Sequence, residues 1–257
     1  MAVHALATMT WPEVRAVSGP RAVAVLPAAA VEAHGPHLPL GTDIVIAEAM
    51  ARSGAARLAA RGYDVLLLPA LPVSPAPFAA AFAGTIHTPA EATTMVVAGV
   101  ARSLAGHGVR ITAVANAHHD PSHVEALRGA VARCGRDGGA TLVFPDLTRR
   151  RWAERLTDEF RSGACHAGRY EGSVVLAERP ELVRREIMAG LPANPQSLVT
   201  AMRAGRATFA DAGGADAYFG FPADATADEG RRIVEILGAI LEDAVLEALE
   251  AAPREPR

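Results

Sequence analysis

Four short runs of apolar residues punctuate the first 150 positions: 22–26 (AVAVL), 64–68 (DVLLL), 111–115 (ITAVA) and 140–144 (ATLVF). Runs of this length, rich in β-branched residues and lacking a polar face, predict strands buried on both sides. Between and after them the period changes. Residues 44–61, 89–106, 122–134 and 149–160 are rich in Ala, Arg and Glu, with helical spacing of their apolar positions. They predict helices, and Gly62 and Gly108 close two of them before the next strand. This alternation predicts an α/β fold, a mainly parallel sheet covered by helices. A last helix is predicted over 227–251, where Ile233, Ile236, Leu237, Ile240, Leu241, Val245 and Leu249 form an apolar stripe. Two stretches break the rhythm. Residues 71–84 hold Pro72, Pro75, Pro77 and Phe78, and 191–221 hold Pro192, Pro195, Gly205, Gly213, Gly214 and Gly220, so both are expected to be irregular loops of functional length. The tail 251–257 is expected to fray. With no linker or internal repeat, 1–257 reads as a single domain.

Composition narrows the function. A chain of 257 residues with 50% hydrophobic content can build one large core. At 21% charged residues and net charge -3 it has no basic field for a polyanion, so nucleic acid is not an expected partner. All 25 basic residues are Arg, and the absence of Lys removes Schiff-base chemistry, lysine general bases and the P-loop together. Two cysteines, Cys134 and Cys165, form no disulfide framework and fit a reducing compartment, so a cytoplasmic location is expected. The first ten residues lack a signal-peptide pattern, and the apolar runs fall far short of the roughly 20 residues of a membrane span. Neither secretion nor a membrane partner is expected. There is no G-x-S-x-G, no H-E-x-x-H, and no G-x-G-x-x-G after the first strand.

Chemistry-bearing residues gather in three clusters. Glu32, His34, His37 and Asp43 directly follow the first predicted strand, with Pro36, Pro39 and Gly41 among them to turn the chain. Asn116, His118, His119, Asp120 and His123 follow the strand at 111–115. Cys165, His166, Arg169 and Glu171 lead into a further helix. In open parallel sheets ligands bind beyond the carboxyl ends of strands, where the first two clusters fall. Imidazole and carboxylate donors without paired thiolates suit Zn(II), Mn(II) or Fe(II), and this mixture from separate strand ends suits two adjacent ions. Plainer roles compete: a polar surface loop for the first cluster, Asp120 or Ser122 as a helix N-cap, and His123 as a helix-face residue. A thiol nucleophile at Cys165 is disfavoured, because chain neighbours such as His166 rarely face each other productively.

Taken in order, Glu32-x-His34-Gly-x-His37-Leu-Pro39 with Asp43, then Asn116-x-His118, then His166-Ala-Gly168-x-x-Glu171-x-Ser173 resemble the creatininase (creatinine amidohydrolase) family. The resemblance runs from about Trp11 to the last helix and includes Gly220-Phe-Pro222 and Ala225-Thr226. It implies a three-layer α/β/α sandwich, usually a homohexamer, with two divalent ions per subunit, Zn foremost and Mn or Fe as alternatives. Carried over by position, Glu32, Asp43 and His118 would hold one ion. His34, a bridging Asp43 and either Asp120 or Glu171 would hold the other. The implied chemistry is attack by a metal-bound hydroxide on an amide carbonyl. The catalytic residues would be His166, as proton shuttle, and Glu171, should it take the second ion. His37 and Asn116 would orient the ligands, and His119 and Arg169 would contact a small-molecule substrate, Arg169 through a carboxylate or phosphate. The substrate expected is a small cyclic or formyl amide. The alternatives are a short peptide cut by a metallopeptidase, or a non-catalytic metal-binding relative. Creatinine itself is not expected, since Gly172 stands where the family has Thr and Asn116-Ala-His-His-Asp-Pro121 departs from the usual second motif.

Overall fold

The computed structural model describes residues 1–251, so the expected fraying beyond Ala251 lies outside the described residues. Five strands form one sheet: β1 (Val3–Ala5), β2 (Ala22–Ala28), β3 (Asp64–Leu67), β4 (Ile111–Asn116) and β5 (Thr141–Val143). Their spatial order is β1-β3-β2-β4-β5, and every pairing is parallel. The helices are α1 (Trp11–Val17), α2 (Thr42–Ala60), α3 (Ala90–Gly106), α4 (Pro121–Asp137), α5 (Arg150–Ala153), α6 (Asp158–Ser162), α7 (Arg169–Glu178), α8 (Arg185–Gly190), α9 (Leu198–Arg203) and α10 (Ala227–Ala251).

Both faces of the sheet are covered, which is why β2 reads as an unbroken apolar run with all seven residues buried. Val23 and Val25 join a core with α2, α7 and α10, while Ala22, Ala24 and Leu26 join a second core with α3 and α4. The three layers of an α/β/α sandwich result. The stripe of α10 behaves as its spacing predicts: Ile233, Leu237, Ile240, Leu241 and Val245 are buried against α2 and α7. Where α10 crosses α7 the backbones nearly touch, because a Cβ on Gly230 would collide with the Ser173 carbonyl oxygen.

Three local expectations need correction. β1 gave no signal in the sequence, since a three-residue edge strand is too short to show a pattern; it pairs with β3 in register Val3 to Val65. Residues 149–160 do not form one helix. The chain turns at Leu156, and Thr157 starts a new helix by accepting the Phe160 N–H on its side chain. The segment 191–221 is irregular but not empty: it carries α9, capped by Ser197, and an antiparallel bridge between Asn194 and Gly220.

The α7–α10 contact makes a stability prediction. Gly230→Ala should cost about 2–3 kcal/mol, the upper part of the overpacking range, because the obstacle is backbone. Gly99→Ala, on α3 with open space around it, should be neutral or mildly stabilising. Urea unfolding midpoints of the two variants test the pair, and equal shifts would contradict the close crossing.

Candidate metal centre

The chain leaves the neighbouring strands β2 and β4 toward opposite faces of the sheet, with α2 on one side and α3 and α4 on the other. A crevice opens at such a switch point, beyond the carboxyl ends of the two central strands. The chain leaving β2 closes a loop when the Glu32 N–H bonds the Leu40 carbonyl at 3.0 Å, and Gly35 turns it at φ +61. That loop presents Glu32 and His34, and Asp43 enters from the first turn of α2. The chain leaving β4 is folded back by Asn116, whose Nδ2 donates to the His118 carbonyl at 2.7 Å. Asn116 Oδ1 receives the His118 N–H at 3.3 Å and lies 2.8 Å from His123 Nε2. From a third direction, the segment before α7 brings His166, and the first turn of α7 brings Glu171.

Three imidazoles have their tautomers set by main-chain carbonyls. His34 Nδ1 donates to the Glu32 carbonyl at 3.1 Å, His118 Nε2 to Pro75 at 2.7 Å and His166 Nε2 to Ala33 at 3.0 Å. A carbonyl can only accept, so in the neutral rings the opposite nitrogen carries the lone pair. Those nitrogens face carboxylates. His34 Nε2 is 3.3 Å from Asp43 Oδ1 and 3.4 Å from Glu171 Oε2, and His118 Nδ1 is 3.1 Å from both Glu32 Oε1 and Asp43 Oδ2. His166 Nδ1 stands farther off, 3.9 Å from Glu32 Oε1. Lone pair against carboxylate is tolerable in a buried site only with positive charge between them, from protons or from metal ions. Burial opposes charge on His34, yet Asp43, Glu171 and Glu32 hold its pKa up at about 10; His118 is likewise driven well above its usual value. Burial raises Glu171 to about 8 against the pull of His34. Burial also acts to raise Asp43, but His34 and His118 outweigh it and hold that group well below the carboxylate range.

The donors group into sets that fit metal ions. Glu32, Asp43 and His118 bring ligand atoms within 4.8 Å of one another, as do His34, Asp43 and Glu171, and Glu32, His34 and His166. Asp43 belongs to two sets, offering one oxygen toward His34 and the other toward His118. Glu32 Oε2 and His34 Nε2 are buried without hydrogen-bond partners, which leaves both atoms available to a cation.

The other expected site residues are placed as follows. Asp120 caps α4 by accepting the Ser122 N–H at 2.8 Å; its Oδ2 is buried and unpartnered at the cavity, and it joins none of the three ligand sets. His119 lines the cavity edge-on to Phe160, and burial lowers its pKa to about 4, so it is neutral. His37 is buried edge-on to Tyr218 and makes no side-chain hydrogen bond to a ligand group among the described residues. Arg169 does not reach the cavity, because Asp158 and Glu229 engage its guanidinium.

Two supporting roles escaped the sequence, that of His123, read there as a helix-face residue, and that of Glu159. His123 fixes the Asn116 amide behind His118. Glu159 is only 3% exposed, and its carboxylate accepts the N–H groups of Arg169 at 2.9 Å, Tyr170 at 2.5 Å and Phe221 at 2.8 Å. It ties the start of α7, and so Glu171, to the segment before α10, with its charge at a helix N-terminus. The glycines beside it were the visible trace: a Cβ on Gly168 would lie 2.7 Å from Glu159 Oε1, and one on Gly220 would also strike that carboxylate.

Glu159→Ala should therefore lower stability by about 3 kcal/mol, since buried N–H groups lose their acceptor, and Glu159→Gln by less. Urea unfolding of both variants checks this. A pH dependence also follows. In the metal-free protein His34 keeps a proton that the unfolded chain releases near 6.5, so its stabilising contribution is present below pH 6.5 and is lost as pH rises toward about 10. Metal-free protein should lose melting temperature across that window while metal-loaded protein does not. Parallel curves would mean the pocket takes up no ion.

Comparison with known proteins places the chain in a family. A family model described as creatinine amidohydrolase matches residues 7–245. The mycofactocin precursor peptide peptidase of Mycobacterium ulcerans (strain Agy99) is 35% identical over 232 residues, covering 87% of this chain and 80% of that protein. Among solved structures, a creatinine amidohydrolase (creatininase) aligns with a TM-score of 0.71 and 23% identity over 96% of this chain and 98% of its own. A mutant creatininase of Zn-Zn type aligns at 0.68 and 22%, covering 95% and 97%. With nearly the whole chain matched by the family and its fold shared with solved members, this protein belongs to the creatininase family.

Proposed function

We propose that this family member is a metal-dependent amidohydrolase that cleaves an amide C–N bond in a short peptide, using two divalent ions of which zinc is foremost. The observation that carries the peptide reading is the cavity above the donor sets. It encloses about 500 Å³, with Glu32, Asp43 and His118 on its floor and Phe78, Phe160 and Phe209 in its walls. That is the volume of a site for ligands much larger than one small ring. The name of the peptide peptidase relative supports the same choice over the small cyclic or formyl amide expected first. Oxygen and nitrogen donors without thiolates suit zinc, manganese or iron alike, and zinc is put first because a solved relative is of Zn-Zn type.

In this reading Glu32, Asp43 and His118 would hold one ion and His34, Asp43 and Glu171 the other, with Asp43 common to the two sets. When bound, the ions supply Lewis acidity toward the amide carbonyl and make water a nucleophile at neutral pH. The remaining work belongs to the chain. His166 is kept neutral by burial and by His34, and the Ala33 carbonyl turns its Nδ1 lone pair toward the floor. It accepts the proton of the attacking water and returns it to the leaving nitrogen. Asn116 and His123 hold His118 in position. His119 and the phenylalanines shape the space for the peptide and limit water.

Metal content and turnover test this together. Protein loaded with zinc should carry near two equivalents per chain, falling to one or fewer in Asp43→Ala. His166→Gln should retain the metal and lose about 10²–10⁴-fold in kcat on a short-peptide panel, the span of a general acid–base group. Turnover confined to lactams and formamides would return the small-amide reading. An unchanged kcat in His166→Gln would remove that residue from the proton path.

A further inference from the structure

Two guanidinium groups border the cavity from separate helices, Arg161 in the last turn of α6 and Arg203 in the last turn of α9. Many of the described arginines are paired: Arg57 and Arg61 share Glu242, Arg128 meets Asp146, and Arg155 meets Asp243. Arg161 and Arg203 are not. Arg161 donates to the Leu156 carbonyl at 2.6 Å and has no carboxylate partner; Arg203 makes no hydrogen bond or ion pair among the described residues. The acids that line the cavity are Glu32, Asp43, Asp120 and Glu171, and all four are buried in the floor or at its edge. The mouth therefore offers two unneutralised cations above walls that are largely aromatic and aliphatic. Arg169, the arginine expected to meet an anion, is engaged elsewhere.

We infer that Arg161 and Arg203 form an anion subsite, so that the substrate carries a carboxylate set apart from the scissile amide by an apolar or aromatic portion. The inference rests on the peptide-hydrolase reading for the scissile amide, but the subsite is defined by the two arginines alone. Guanidinium groups suit this task because their forked donors match a carboxylate in charge and in geometry. The apolar portion would lie along Phe160, Leu198 and Phe209, leaving the amide over the floor and the carboxylate at the rim. A chain terminus and an acidic side chain supply the same chemistry, and the test separates them.

Binding to the zinc-loaded protein is measured by calorimetry with two matched probe pairs. N-acetylphenylalanine against N-acetylphenylalaninamide presents or removes a terminal carboxylate. N-acetyl-Phe-Glu-amide against N-acetyl-Phe-Gln-amide does the same for a side chain. At least one pair should show a tenfold or greater preference for the acid, and the preferred pair identifies the source. In the Arg161→Ala/Arg203→Ala variant, with its fold verified by a cooperative unfolding transition, that preference should fall to within twofold. Arg161→Lys/Arg203→Lys should restore part of it. Equal affinity of acid and amide in both pairs, including no measurable binding of either, would overturn the subsite. So would a preference that persists in the double alanine variant, because the carboxylate would then sit on the floor. A rim preference in a protein that hydrolyses no peptide would leave the subsite standing and sink the proposed reaction.

Discussion

Lone pairs and carboxylate oxygens aimed into one buried space repel each other until positive charge enters, and much of the architecture serves to keep them aimed there. Asp43 is the centre of this conflict, with one oxygen toward His34 and the other toward His118. In water each group would turn away or be hydrated. Here His34 and Asp43 are almost wholly enclosed, and escape would require moving main chain. Protons relieve the repulsion near neutral pH, as the raised pKa values of His34 and His118 record, and a divalent ion relieves it more completely because it binds several donors at once. The site is thus preorganised for cations by the cost of leaving it without them.

That preorganisation is largely a backbone property. The carbonyls of Glu32, Pro75 and Ala33 choose the tautomers of His34, His118 and His166, three histidines that lie on three different loops. Glu159 then anchors the third loop by gathering three N–H groups from two segments, so the position of Glu171 depends on a carboxylate that meets no ligand. The sheet supplies the remaining constraint. Because β2 and β4 are neighbours whose following helices lie on opposite faces, their exits diverge and leave the crevice that the loops fill.

Much of this is legible in the sequence because burial writes itself as pattern. β2 and β4 appear as apolar runs since both faces are covered, and α10 appears as a stripe since one face is. The histidines and acids after β2 and β4 stand out for the same reason, as polar residues where the apolar runs stop. What is hidden has no such contrast. β1 is three residues at an edge, and the break at Leu156 lies in a segment whose composition suits a helix throughout. Glu159 looks like any acid on a helix face, and only its buried contacts reveal its work. Carbonyl groups, which set the tautomers, are the same at every position and leave no mark at all. Asp120 and Glu171 show a choice that sequence leaves open and packing narrows: Asp120 is occupied in part by capping α4, while Glu171, far along the chain, faces His34.

Charge is divided between the two ends of the cavity in a way that complements the floor. Acids gather at the bottom, where burial makes each uncompensated charge costly, so cations are drawn there. Arg161 and Arg203 remain at the mouth, where water can solvate them and, among the described residues, no carboxylate pairs with them. If basic side chains lay at the floor they would neutralise the donors and displace the ions; if acids lay at the mouth they would repel the carboxylates that peptides carry. A molecule entering with an anionic end and a neutral amide can satisfy both ends only in one orientation. The apolar walls between them add affinity with little direction of their own. On the proposed reading, orientation in this cavity is therefore an electrostatic matter, set by separating the charges that would hold ions from those that would meet a substrate.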